Sequence, residues 1–209
     1  MIAIINYGMG NLQSVANALS LLKKDYFITS DPKSLKKANA VILPGVGAFK
    51  DCINNLKSSG FYKQLTTEIL TKKKPFLGIC LGMQVLARGS YENGYHEGFG
   101  WIDGVVEQLV MPSSEFKLPH IGWNDVSFKK NTLFKGIPDK TCFYFVHSYH
   151  LKPDKHGKKF ITSECHHGTN FASSLQKEHI FGVQFHPEKS QAAGLKMLSN
   201  FIDYVGNGR

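Results

Sequence analysis

The chain is poor in cysteine and shows no cysteine pairing. Its four cysteines, Cys52, Cys80, Cys142 and Cys165, are scattered over 209 residues. No two form a C-x-x-C pair, which argues against a zinc site or a redox dithiol. Few thiols and no disulfide pattern fit a reducing, cytoplasmic setting. No apolar run reaches the roughly 20 residues needed to cross a bilayer. The opening stretch Met1-Ile2-Ala3-Ile4-Ile5-Asn6 lacks a basic leader and reads as a first strand. The 9 histidines, including His166-His167, have no regular ligand spacing, and no metal or cofactor is expected. Repeats, low-complexity tracts and linker-like segments are also missing. Residues 1–209 are therefore expected to form one domain, for which the length is ordinary.

Acidic residues are outnumbered, 16 against 25 basic, for a formal charge of +9. Lysines gather at Lys23-Lys24, Lys36-Lys37, Lys72-Lys73-Lys74, Lys129-Lys130 and from Lys152 to Lys159. These are loop and helix-end positions, where the helix dipole favours a cation. No aromatic residues interleave them as on a stacking surface. The charge is read as solvated surface, with no nucleic-acid or membrane partner. Part of the excess suits an acidic partner or a phosphorylated ligand.

What the sequence does carry is alternation. Apolar runs at Ile2–Asn6, Tyr26–Thr29, Ala40–Leu43 and Phe76–Ile79 read as strands. Their continuity suits a parallel sheet covered on both faces. Between them lie helical patterns at Asn11–Lys23, Pro32–Lys37, Ala48–Ser58, Phe61–Lys73 and Leu81–Arg88. In the first of these, Leu12, Val15, Ala16, Leu19 and Leu22 form one apolar stripe. From Phe99 to Leu175 the pattern changes to short alternating segments: Gly104–Val110, Leu118–Phe128, Thr141–Ser148, Lys159–Cys165 and Phe171–Leu175. These read as an antiparallel β excursion. A final strand, His179–Phe185, and a helix from about Ser190 to Tyr204 complete an α/β fold: a mostly parallel central sheet flanked by helices.

Three segments fall at strand ends, where open α/β sheets bind ligands. In Gly78-Ile79-Cys80-Leu81-Gly82, a cysteine stands between two glycines where a strand gives way to a helix. A turn that sharp needs small neighbours and exposes the residue at its apex. His186-Pro187-Glu188 supplies an imidazole and, two residues on, a carboxylate, expected on one face of an extended strand end. Thiol, imidazole and carboxylate make a Cys80-His186-Glu188 version of the nucleophilic triad. A helix N-terminus and a neighbouring imidazolium both favour a thiolate. Pro44-Gly45-Val46-Gly47-Ala48 lacks a P-loop lysine and a full G-x-G-x-x-G. It reads as one side of an oxyanion hole, with donors from Gly47 and from the Leu81 N–H.

Taken together, these segments resemble the class I (triad) glutamine amidotransferases. Further stretches carry the resemblance across essentially the whole chain: Tyr7-Gly8-Met9-Gly10-Asn11-Leu12, Pro119-His120-Ile121-Gly122-Trp123-Asn124, Tyr144-Phe145-Val146-His147-Ser148-Tyr149 and Gly182-Val183-Gln184-Phe185-His186. They are most similar to members that serve as the glutaminase half of a two-subunit synthase in histidine biosynthesis. The resemblance implies hydrolysis of L-glutamine to glutamate and ammonia. It also implies a heterodimer with a (βα)8-barrel cyclase subunit that receives the ammonia along an enclosed path. By the same resemblance, Gln84, Glu92, Ser148 and Tyr149 hold the substrate's amino-acid end, with Glu92 pairing the ammonium. Trp123, Asn11 and Lys189 fall at the partner interface.

Other readings stay open at this level. The stretch Val85-Leu86-Ala87-Arg88-Gly89-Ser90-Tyr91 departs from the usual continuation, as do Gly100-Trp101-Ile102 and Ser190-Gln191. These differences resemble a branch that feeds ammonia to a sugar-modifying synthase in surface-polysaccharide assembly. Further alternatives are a thiol peptidase or esterase of related fold and a non-catalytic interaction subunit.

Overall fold

The alternating first half folds as strand and helix in turn. A computed structural model describes residues 1–129 and 131–207; Lys130, of the Lys129-Lys130 pair, lies outside the described residues. The order is β1 (Ile2–Ile5), α1 (Leu12–Leu21), β2 (Tyr26–Thr29), a 3₁₀ turn (Pro32–Lys37), β3 (Ala40–Gly45), α2 (Phe49–Ser58), α3 (Phe61–Leu65), β4 (Phe76–Cys80) and α4 (Leu81–Gln84). Strands β1, β3 and β4 are buried at every position. That is what their unbroken apolar runs require in a sheet with both faces covered. On α1 Val15, Ala16 and Leu19 of the expected stripe are buried together with Ala18, while Leu12 and Leu22 at its two ends are half-buried.

The second half is mainly strand: β5 (Ala87–Ser90), β6 (His96–Glu97), β7 (Ile102–Gln108), β8 (His120–Phe128), β9 (Thr141–His147), β10 (Tyr149–Pro153), β11 (Ile161–His167), β12 (Thr169–Lys177) and β13 (Ile180–Val183), closed by α5 (Gln191–Asn207). Nine strands form one mixed sheet in the order β2-β1-β3-β4-β13-β12-β11-β8-β9. It is parallel from β2 to β13 and antiparallel from β13 to β9. A second sheet of four strands, β10-β7-β5-β6, pairs β7 antiparallel to β10 but parallel to β5. Two apolar clusters cover the large sheet. One is centred on α1, α5 and the aromatics Phe143, Phe145, Phe181, Phe185 and Phe201. The other is centred on α2, α3 and the second sheet.

Three expectations need correction. The helix read through Leu81–Arg88 ends at Gln84, and Ala87–Ser90 is strand. The Leu86 N–H bonds back to Met83 O and tightens the exit, after which Ala87 pairs with Ile102. The helix read through Phe61–Lys73 changes to a π-helical stretch at Thr66–Thr71. There the hydroxyls of Thr66 and Thr67 bond back to Tyr62 O and Lys63 O, a pattern that bends helices. Finally, His186 is extended, but Pro187–Lys189 is a 3₁₀ turn, not a strand end.

The sheet order explains the placement of the motifs. β3 and β13 flank β4, with Gly45 opposite Cys80 and Val183 opposite Ile79. The chain segments leaving β3, β4 and β13 therefore emerge together along one edge.

Candidate active site

Cys80 occupies the apex between β4 and α4 with φ 55° and ψ −111°. Such a conformation costs a non-glycine residue about 1–3 kcal/mol. It persists because the turn is packed too tightly to relax. A Cβ on Gly78 would collide with the Gly82 carbonyl, and one on Gly82 with the Leu43 carbonyl of β3. Both glycines are needed for helix and sheet to touch. Leu81 is the first residue of α4, so its N–H has no preceding turn to bond to.

His186 is 1% exposed. Its Nδ1 lies 2.8 Å from Glu188 Oε1. The carboxylate accepts, so Nδ1 carries the proton and Nε2 is left without a hydrogen-bond partner among the described residues. Burial works against the charged ring, but the adjacent Cys80 sulfur and the Glu188 carboxylate outweigh it and raise the His186 pKa to about 10. The 3₁₀ turn delivers Glu188 as well as an extended strand would, because it folds residue i+2 back beneath the ring. Ser190 pins this turn, donating to His186 O at 2.7 Å and accepting from the Tyr144 N–H at 3.0 Å.

In front of Cys80 lies a cavity of about 490 Å³. Cys80, Gly47, Leu81, Gln84 and Glu92 line it, as do Ser148 and Tyr149. Asn11 and Lys189, expected nearer a partner surface, line the same cavity. Gly47 has φ +99°, and a Cβ there would press on Met9 Cε, so the loop beside the thiol needs glycine. Glu92 has a second attachment: its Oε2 accepts the N–H of Phe49, the first residue of α2, at 2.8 Å. A carboxylate at a helix N-terminus is favoured by the dipole. The same side chain thus touches both the cavity and the glycine-rich segment.

Trp123 does not line the cavity. It projects from β8 with 48% of its surface exposed, beside Ile121 at 60%. Its ring meets that of Tyr144 edge-on at 6.1 Å, and Lys189 Nζ sits 5.6 Å from the centre of the same Tyr144 ring. An apolar patch on the sheet's β8–β9 edge therefore runs to the rim of the cavity.

Sequence reasoning missed Val46, Pro119, Val146 and His147, which also line the cavity, and Gln184, which lies behind it. His147 Nδ1 is 3.0 Å from Tyr149 O, and its Nε2 is 3.1 Å from His120 Nδ1. Burial, aided by His120, lowers the His147 pKa to about 3; burial and His167 lower that of His120 to about 4. Both are neutral structural histidines. Gln184 is wholly buried, with Nε2 3.6 Å from Cys80 Sγ. A signal for it existed in its position two residues before His186 in a wholly apolar strand, where an amide has to find partners.

The chain matches the family "Glutamine amidotransferase class-I" over residues 3–204. It is 47% identical over 203 residues to "Imidazole glycerol phosphate synthase subunit HisH 1" of Campylobacter jejuni (strain RM1221), covering 97% of this chain and 99% of that one. Proteins named "Imidazole glycerol phosphate synthase subunit HisH" are 41% identical in Pelagibacter ubique, over 97% of this chain and 99% of theirs, and 43% identical in Geobacter metallireducens, over 96% of each. Among solved structures, a glutamine amidotransferase superposes with TM-score 0.74 at 15% identity, covering 99% of this chain and 100% of that one. A glutamine amidotransferase from Thermotoga maritima gives 0.63 at 20% identity, covering 99% and 84%. At these identities the structures speak for the fold alone.

Proposed function

The chain belongs to the class-I glutamine amidotransferases, and from that membership we propose how its residues hydrolyse glutamine and where the ammonia goes. It is the glutamine-hydrolysing subunit of an imidazole glycerol phosphate synthase, a reading supported by relatives 41–47% identical over nearly their whole length. The observation that carries the mechanism is Cys80 at the wall of a cavity lined by Gln84 and Glu92, with the His186–Glu188 pair adjoining its sulfur.

Glutamine enters with its ammonium toward Glu92 and Gln84 and its carboxamide toward Cys80. The thiolate attacks the amide carbon, and the carbonyl oxygen becomes an oxyanion held by the N–H groups of Gly47 and Leu81. Losing one such donor costs on the order of 3 kcal/mol in comparable sites. His186 Nε2 gives its proton to the leaving nitrogen, the C–N bond breaks and ammonia departs, leaving a thioester on Cys80. The now neutral His186 takes a proton from water, which attacks the thioester, expels the thiolate and yields glutamate. Glu188 keeps the proton on Nδ1 throughout, so that Nε2 faces the chemistry.

The ammonia passes to a (βα)8-barrel cyclase subunit in a heterodimer. The cyclase uses it to make imidazole glycerol phosphate and an aminoimidazole carboxamide ribotide in histidine biosynthesis. Ammonia released into neutral water is mostly protonated and in that form is no nucleophile, so a docked acceptor conserves it. The exposed Trp123 and Ile121, continuous with Tyr144, Lys189 and Asn11 at the cavity rim, suit the docking face. The departures at Val85–Tyr91 fall in and around β5, outside the triad, and no structural observation favours a sugar-modifying acceptor or a peptidase.

The test uses the complex. Cys80→Ala is expected to abolish glutamine-dependent synthesis while ammonia-dependent synthesis by the cyclase continues. Glutamate release that survives in Cys80→Ala would remove Cys80 from the role of nucleophile. Glutamate release by the native chain, unchanged on adding the cyclase with its nucleotide ligand, would point to another acceptor synthase.

A further inference from the structure

A backbone carbonyl that can only accept fixes the orientation of two buried amides beside the thiol. Tyr149 O receives the Nδ1–H of His147 at 3.0 Å and the Nε2–H of Gln84 at 2.8 Å. With its nitrogen turned to Tyr149, Gln84 has one N–H left, and this meets Gln184 Oε1 at 3.0 Å. The oxygen of Gln184 therefore faces Gln84, and its nitrogen faces Cys80 Sγ at 3.6 Å. Reversing either amide would set oxygen against oxygen at Tyr149 or nitrogen against nitrogen between the glutamines. Gln184 is 0% exposed, so water does not offer its amide an alternative partner.

We propose that Gln184 is a further catalytic residue, whose N–H stabilises the Cys80 sulfur as a thiolate and holds it in line for attack. A thiolate is a far stronger acceptor than a thiol, so a fixed donor on the sulfur favours the charged form. Burial strengthens that preference, because the donor has no water to fall back on. Unlike His186, Gln184 neither gains nor loses a proton, and its support persists after His186 has given its proton to the leaving group. At that stage it also favours departure of the thiolate from the second tetrahedral intermediate. The proposal rests on the reading of Cys80 as nucleophile and adds a second, uncharged source of thiolate stabilisation to it.

The experiment is the pH dependence of alkylation by iodoacetamide, followed on the peptide that carries Cys80 in the full chain. Gln184→Met keeps the volume and removes the donor. Its alkylation at neutral pH is expected to fall about tenfold, the loss of a hydrogen bond to a charged group. The profile should move to higher pH with the alkaline plateau unchanged. Gln184→Glu, which sets a carboxylate against the sulfur, should move it further in the same direction. Glutamine turnover should fall in kcat with little change in KM. A wild-type alkylation profile in folded Gln184→Met overturns the proposal. If circular dichroism shows that Gln184→Met does not fold, Gln184→Asn, which retains an amide but withdraws its N–H from the sulfur, is held to the same two outcomes. Failure of the nucleophile reading looks different: glutaminase activity would then survive in Cys80→Ala whatever Gln184 does.

Discussion

The charge on His186 is set by two neighbours acting against its burial. Cys80 and Glu188 raise its pKa to about 10 although the ring is enclosed. The folded value lies above the ordinary 6.5, so the interaction contributes fully at low pH and is lost as pH rises toward 10. Glu188→Gln removes one of the raising influences. The alkaline limb of the glutaminase pH profile should then move to lower pH, and kcat should drop by at least about a hundredfold, since Nδ1 is no longer held by a charge. An unmoved alkaline limb in steady-state assays would mean that the ionisation belongs elsewhere. Residues of this kind were legible in the sequence: a cysteine between glycines and a His-x-Glu state their chemistry locally. The roles of Gln184, whose burial alone was signalled, and of His147 were not, because they depend on which atom faces which across strands distant in sequence. Tyr149 exerts its control through a carbonyl that every residue possesses.

At the scale of elements, the elbow between β4 and α4 is the tightest construction in the site. The carbonyl of Leu43 occupies the space that a side chain on Gly82 would need. Gly82→Ala should therefore push α4 off β3, and destabilisation of more than about 3 kcal/mol is expected from denaturant midpoints. Near-native stability with full activity would show that the elbow tolerates displacement. The glycines made this element readable, as continuous apolar runs did for β1, β3 and β4. The stretch Val85-Leu86-Ala87 was unreadable for the opposite reason: it is apolar throughout, and periodicity does not distinguish a buried helix from a buried strand. The π-helical segment after Leu65 had only the weak local signal of Thr66 and Thr67, whose hydroxyls bond back to Tyr62 O and Lys63 O. It buries Glu68, with Lys72 four residues on at 2.8 Å as in any helix and Lys74 at 2.9 Å, a second partner that the helical repeat does not announce.

For the whole molecule, acid should be the sensitive side. His147 and His120 have folded pKa values of about 3 and 4, against 6.5 ordinarily. Between those limits these two groups bind more protons in the unfolded chain than in the folded one, so the stability they contribute is complete above about pH 6.5 and declines as pH falls toward 3. Thermal melts between pH 7 and pH 5 should show this decline. It should be shallower in His120→Phe, which can still stack on Phe145; equal slopes would assign the acid sensitivity to other groups. The overall α/β plan was visible in the alternation of strand and helix, but the second sheet was not. β5, β6 and β10 are short; β5 and β10 are joined only through β7, and β6 adds to the outer side of β5.

The bond from the Phe49 N–H to Glu92 gives the pocket a shared anchor. One carboxylate tethers the start of α2 and, in the pose proposed above, also receives the substrate's ammonium. The start of α2 and the amino-acid end of the pocket therefore share one side chain, whose Oε2 already holds the Phe49 N–H and whose other oxygen keeps its acceptor sites.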